Sequence, residues 1–307
     1  MKKVKILAIL IAASVFMLFA LGSGSNNSES TKEISGSNSA NSGNSSQSGN
    51  ETKTPVSPLT PKIEEAVVYE ENGIKITAKE YTTGSFFGDG IKFLIENNTS
   101  KNITVSTHAV IVNNYMISDL FVASVAAGKK TNETMNLLSS ELKAAGIDVI
   151  GQVEVYFHIY DSDSYGDIAN PDCVTIRTSL YDQMDTSVDD AGQLLFEHGG
   201  VKIVGKYVNE SSFWGAAVLF YIENNSGRNV RVRADNVSIN GFTLNSAIFS
   251  CEVYNGKRAY DDMTLFSSEL EENGIKTIEE VSLKFEIVDP DSYSTIAESG
   301  EITFSTK

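Results

Sequence analysis

The sequence predicts an all-β protein built from two tandem antiparallel β-sandwich domains, each carrying one short helix. Three observations predict it. One phrase is written twice, "IENNTSKNITV" from Ile95 and "IENNSGRNVRV" from Ile222, 127 residues later. Apolar and polar residues alternate through both copies at the two-residue period of a half-buried strand. Gly and Asn punctuate these runs, and proline, with 5 residues in 307, hardly interrupts them.

The chain opens with Lys2, Lys3 and Lys5 ahead of an apolar run from Ile6 to Leu21. This is the pattern of an export signal, and Ala20-Leu21-Gly22 offers a cleavage site before Ser23. The run is near the lower limit for spanning a bilayer. Residues 1–22 therefore read as a signal peptide or as an uncleaved N-terminal membrane anchor. Residues 23–61 follow as a disordered linker, since Ser, Asn and Gly supply 22 of these 39 residues and no apolar face offsets the cost of ordering them. As a coil it spans roughly 35 Å.

The repeat then fixes two folded ranges, 62–180 and 194–307. Gly73-Ile74-Lys75-Ile76 answers Gly200-Val201-Lys202-Ile203 at offset 127. After one inserted residue, Ser139-Ser140-Glu141-Leu142 answers Ser267-Ser268-Glu269-Leu270 at offset 128. Period two places Ile74, Ile76 and Ala78 on one face, then Ile91, Phe93 and Ile95, then Val153, Val155, Phe157 and Ile159. Val281, Leu283, Phe285 and Ile287 do the same in the second copy. Seven or eight such strands per copy make a sandwich of two antiparallel sheets. The doubled phrase reads as a β-hairpin turning at Asn97-Asn98 and Asn224-Asn225. "SSELKAAGI" and "SSELEENGI" read as a helix capped by Ser139 or Ser140, with Glu141 on its dipole and Gly146 and Gly274 as left-handed stops. The acidic stretch from Ser179 to Gln193 reads as a connection that leaves the domains some freedom.

A net charge of −16 disfavours nucleic acid and anionic lipid headgroups, because both are bound through Lys and Arg. Any membrane contact is expected only through the N-terminal segment.

At "NGIKI", "ENN", "VN(N/G)", "GK(K/R)", "SSEL…GI" and "F.I.D.DSY", in this order over residues 64–307, the chain resembles a group of Gram-positive extracytoplasmic, lipoprotein-like proteins with tandem immunoglobulin-like repeats. The resemblance implies an immunoglobulin-like sandwich displayed outside a bacterial cell. Gly24 stands where the lipoprotein motif needs its lipid-bearing Cys, and no four-cysteine zinc ribbon is present.

Catalytic patterns are sparse. His108, His158 and His198 face Asp235, Glu286 and an unmatched position of the other copy, so they are no shared reaction centre. There is no GxSxG, no HExxH and no phosphate-cradling glycine loop, and no cofactor is implied. Cys173 and Cys251 stand at unrelated repeat positions, which leaves buried thiols or one interdomain disulfide open. Asp161, Asp163 and Asp167 in "DSDSYGD" have alternating oxygens that suit calcium weakly, with a backbone-bonded turn as the plainer reading. The strongest binding candidates are the aromatic pairs Phe86-Phe87 and Phe213-Trp214, each at the tip between two strands. The expected function is an exported, non-enzymatic surface or secreted protein that binds protein or envelope ligands. A structural spacer is the alternative, and an enzyme stands third.

Overall fold

The computed structural model describes residues 31–33, 60–86, 88–212 and 215–306. The signal or anchor segment and most of the linker lie outside them. Within the linker, strand β1 (Thr31–Glu33) pairs antiparallel with Tyr207–Asn209. This corrects the expectation of a wholly disordered tether. Those partners lie on an edge that the next strand leaves open, and any extended backbone can satisfy it.

The first half folds as β2 (Ala66–Glu71), β3 (Ile74–Ser85), β4 (Gly88–Asn97), β5 (Ile103–Val112), β6 (Tyr115–Ile117), β7 (Val122–Val125) and β8 (Lys130–Asn136). Helix α1 (Ser139–Ala144), β9 (Gln152–Asp161), β10 (Asp167–Ala169) and β11 (Val174–Arg177) complete it. One sheet runs β2-β3-β4-β8. The other centres on β5 and β9, with β6 and β7 on β5, and β10 and β11 on β9. The second half repeats this with β12 (Gln193–His198), β13 (Val201–Ser212), β14 (Gly215–Asn224), β15 (Val230–Ile239), β16 (Phe242–Thr243), β17 (Ser250–Val253) and β18 (Lys257–Phe266). It ends with α2 (Ser267–Glu272), β19 (Glu280–Val288), β20 (Thr295–Glu298) and β21 (Ile302–Ser305). Each half thus has ten strands, more than expected, because the short edge strands carry little periodicity.

The alternating residues are the cores. Ile76, Phe93, Ile95, Val155 and Phe157 are fully buried in the first, and Val218, Phe220, Leu283 and Phe285 in the second. Both cores are keyed by the same three rings. Phe93 meets Phe157 edge-on at 5.5 Å with Phe121 beside them, and Phe220 meets Phe285 at 5.3 Å with Phe249 beside them. Each pair joins strands of opposite sheets, and each ring contributes about 1.5–3 kcal/mol by burial.

The doubled phrase is not a hairpin. β4 pairs only with β3 and β8, whereas β5 pairs with β6, β7 and β9. The phrase crosses from one sheet to the other. Asn97 is fully buried, and its Nδ2 donates to the carbonyls of Lys101 at 2.8 Å and Val125 at 3.0 Å. Its Oδ1 accepts from the Thr99 amide and hydroxyl. Asn224 makes the same bonds to Arg228, Val253 and Ser226. The left-handed asparagines lie elsewhere, Asn113 and Asn114 turning β5 into β6.

The helices also differ from expectation. Leu138 and Phe266, not serines, occupy the N-caps without a side-chain bond. Glu141 and Glu269 instead grip the loops that follow β6 and β16, accepting the amide of Ser118 and those of Asn245 and Ser246 respectively. The stops are as read. Gly146 and Gly274 have φ of 67° and 68°, and the next amide reaches back to Leu142 or Leu270 at 2.8 Å, closing a Schellman motif.

The two halves share a sheet. β18 of the second lies parallel to β6 of the first, with Arg258 opposite Tyr115, so the sheets fuse edge to edge. The Arg258 amide donates to the Asn114 carbonyl at 3.1 Å, and Asn114 Nδ2 donates to Gly256 at 3.1 Å. Tyr115 stacks on Tyr260, and Tyr260 packs on Tyr221. Glu154 and Lys257 pair at 2.5 Å in near-complete burial. The connection is also tied down, since the Tyr260 hydroxyl donates to the Asp189 carbonyl, and Asp189 and Asp190 pair with Lys206 and Lys202. The connection thus lies bonded along the second half. The residues that pack at the junction, Tyr115, Tyr221 and Tyr260, sit within ordinary strand patterns.

Candidate functional site

Because Val155, Phe157 and Ile159 point inward, β9 turns Tyr156, His158 and Tyr160 outward. A bulge in β5 brings His108 beside them. His108 and His158 stack at 4.4 Å, and the run continues to Tyr160 at 5.0 Å and Tyr165 at 6.3 Å. His108 Nε2 lies 3.0 Å from the Asn170 carboxamide oxygen, and His158 Nε2 lies 2.9 Å from Asp167. His198 stacks on Phe196. The three imidazoles thus have separate partners.

At the end of this run the two halves enclose a polar cleft of about 710 Å³. Thr107 and His108 form one wall. Arg228, Arg231 and Tyr254 form the other, with the Asp289–Asp291 turn at its rim. The floor is braced, since Tyr254 packs edge-on against Tyr156 across the junction at 4.8 Å, close to the Glu154–Lys257 pair. Burial pushes both the Tyr156 and Tyr254 phenols up to about 12. Arg231 is immobilised, donating to Glu252 at 2.5 Å and to the Tyr293 hydroxyl at 2.8 Å with its guanidinium over that ring.

The two copies treat one pair of positions differently. In the first, Lys101 pairs with Asp161 at 2.9 Å. That bond and the amides of Ser164 and Asp163 hold the Asp161 carboxyl far below its usual range. The matching residues are Arg228 and Asp289. Asp289 is held low chiefly by the amide and hydroxyl of Ser292, with Arg228 contributing least. Among the described residues Arg228 and Asp291 form no ion pair.

The residues singled out by sequence are distributed as follows. Phe86 is 86% exposed at the β3–β4 tip, and Phe87, Phe213 and Trp214 lie outside the described residues. The glycines after the aromatic pairs are structural. Gly88 has φ of 113° and a Cβ there would lie 2.6 Å from the Leu137 carbonyl, while at Gly215, with φ of 146°, it would strike the Leu265 carbonyl. Asp161, Asp163 and Asp167 do not converge on one point. Asp161 is taken by Lys101 and its own turn, Asp163 lies 3.4 Å from Asn102, and Asp167 pairs with His158. No three His, Cys, Asp or Glu among the described residues are placed to hold a metal ion. Cys173 and Cys251 are free, and burial raises both thiols. No disulfide joins the halves.

Sequence reasoning missed the cleft. Its one signal was arginine placement. Of the chain's five arginines, Arg228, Arg231 and Arg233 fall in "GRNVRVR", where the first copy has Lys101, Thr104 and Ser106. No protein-family model matches the chain, and no curated protein matches it.

Proposed function

We propose that the chain is an exported, non-enzymatic binding protein of a bacterial cell surface, and that the cleft between its two sandwiches is where it binds. The observation that carries this reading is the braced cleft itself. Ligand sites favour junctions between packed units and measure about 300–1,000 Å³, and this one has walls from both halves. A preformed wall loses little entropy when a ligand arrives. The N-terminal Lys-then-apolar segment supports export, and the resemblance to extracytoplasmic repeat proteins agrees with it. The engaged imidazoles favour binding over catalysis. The partner is an envelope component or another surface protein.

The test is a titration of the ¹⁵N-labelled chain with soluble fragments of the producing organism's own envelope. Shifts concentrated at Thr107, His108 and Tyr254 are expected. Saturating fragments that leave every amide unmoved favour the spacer reading instead, and shifts at Phe86 and its neighbours alone would move the site to the hairpin tip.

A further inference from the structure

We propose that the cleft takes a small zwitterion of the amino-acid or short-peptide type, its carboxylate received by Arg228 and its ammonium facing Asp291. This rests on the binding reading above and names the ligand class.

The internal comparison carries it furthest. At the same two positions, the first copy closes a cation onto an aspartate, Lys101 on Asp161. The second copy keeps the same turn bonds on Asp289, from the amides of Asp291 and Ser292 with the Ser292 hydroxyl added, but among the described residues it forms no ion pair between Asp289 and Arg228. The cation there is an arginine whose planar fork fits a carboxylate with two parallel bonds. It lines the cleft. The neighbouring Arg231 is already committed to Glu252 and Tyr293, so it shapes the wall and does not compete.

The charges then choose between ligand types. A bare anion reaching Arg228 would also meet Asp289, Asp291 and Glu252, within a chain of net charge −16. A molecule carrying its own positive charge meets both signs favourably. Asp291, on the exposed turn, supplies the carboxylate for it. The Tyr254 ring, backed by Tyr156, offers an apolar surface for the body of the ligand.

The test uses L-alanyl-L-alanine against three analogues: N-acetyl-L-alanine, which has no ammonium, L-alaninamide, which has no carboxylate, and free L-alanine. The readout is amide shifts at Thr107, His108 and Tyr254 in the exported chain. Both zwitterions are expected to shift these resonances, and each analogue lacking one charge to bind roughly tenfold more weakly. Their relative affinities assign peptide or free amino acid as the source. Arg228→Gln and Asp291→Asn, both at the surface, are expected to leave the melting temperature unchanged and each to weaken binding by about the same factor. Equal binding of the N-acetyl analogue overturns the zwitterion in favour of a simple anion. Shifts from envelope fragments but from none of these probes overturn the ligand class and leave the binding reading standing. No shift from any source overturns both.

Discussion

Glu154 on β9 and Lys257 on β18 meet at 2.5 Å across the junction of the two sandwiches, with side chains only 14% and 17% exposed. Removing one partner leaves a poorly solvated charge behind. Breaking such a buried pair costs about 3–5 kcal/mol, and the residual solvent access here reduces this to about 2 kcal/mol. Lys257→Met and Glu154→Gln are each expected to lose that much in urea unfolding, while the double variant recovers most of it. Single variants that unfold like the parent would show that the pair contributes nothing.

Tyr221 presents the opposite case. It is fully buried at the junction and its hydroxyl has no hydrogen-bond partner among the described residues. An unmet buried hydroxyl costs about 1–3 kcal/mol. Tyr221→Phe is therefore expected to raise stability by about 1 kcal/mol, read as a higher melting temperature. A loss of similar size would mean that the hydroxyl is satisfied in solution.

Asp261 is half-buried on β18 beside Cys251, where desolvation first and the adjacent Asp262 second raise its carboxyl to about 7. Glu141, reaching over from α1, adds to the same field. The sign follows directly. A carboxyl whose folded value exceeds its unfolded one binds its proton more tightly when folded. The contribution of Asp261 to stability is then greatest below about pH 4, falls as pH rises towards 7, and stays low above it. Asp261→Asn is expected to stabilise the chain by on the order of 2 kcal/mol at pH 8 and by little at pH 4. Denaturant midpoints at the two pH values measure this, and a gain independent of pH would refute it.

The crossover asparagines hold the two sheets of each sandwich together. Asn97→Ala and Asn224→Ala each remove two bonds to carbonyls, one of them buried, and two bonds accepted from the Thr99 or Ser226 amide and hydroxyl. The expected cost is about 2–4 kcal/mol apiece. Asp at either position should be as harmful, because it keeps the acceptor but turns a carboxylate towards carbonyls. Guanidinium unfolding checks both, and tolerance of Asp would show that the Nδ2 bonds matter little.

The glycine after each aromatic pair should resist change. Gly88→Ala and Gly215→Ala combine a left-handed backbone with a collision against a carbonyl and should each cost about 2 kcal/mol or more. Gly146→Ala has a smaller positive φ of 67° and open space around it, so about 1 kcal/mol is expected there. Thermal melts of the three variants rank them, and equal shifts would show that the close approach is absorbed.

Much of the fold was legible because burial on one face of a strand imposes period two. Every inward position read at Ile74, Ile91, Val153 and Val281 is a core position. What periodicity does not encode is the sheet to which a strand belongs. The turn after Asn97 therefore read as a hairpin although its two strands lie in different sheets. The junction stayed hidden for a related reason, since Tyr115, Tyr221 and Tyr260 bury against a neighbouring sandwich with the same alternation that would bury them against their own. The cleft was less legible still. Thr107 and Arg228 are 121 positions apart, and only the edge-to-edge fusion brings their strands together.

The contacts of that fusion are specific to the one junction. A third sandwich would have to use the surfaces left at the two ends, β8 in place of β18 and β16 in place of β6. There Asn132 stands where Tyr260 stacks, while Ser282 and Lys284 replace Glu154 and Tyr156. Lys129 would meet a hydroxyl and another lysine in place of a carboxylate, and the half-exposed Phe242 would find no ring. The polar and aromatic contacts that join the two halves are thus not reproduced at either end of the pair.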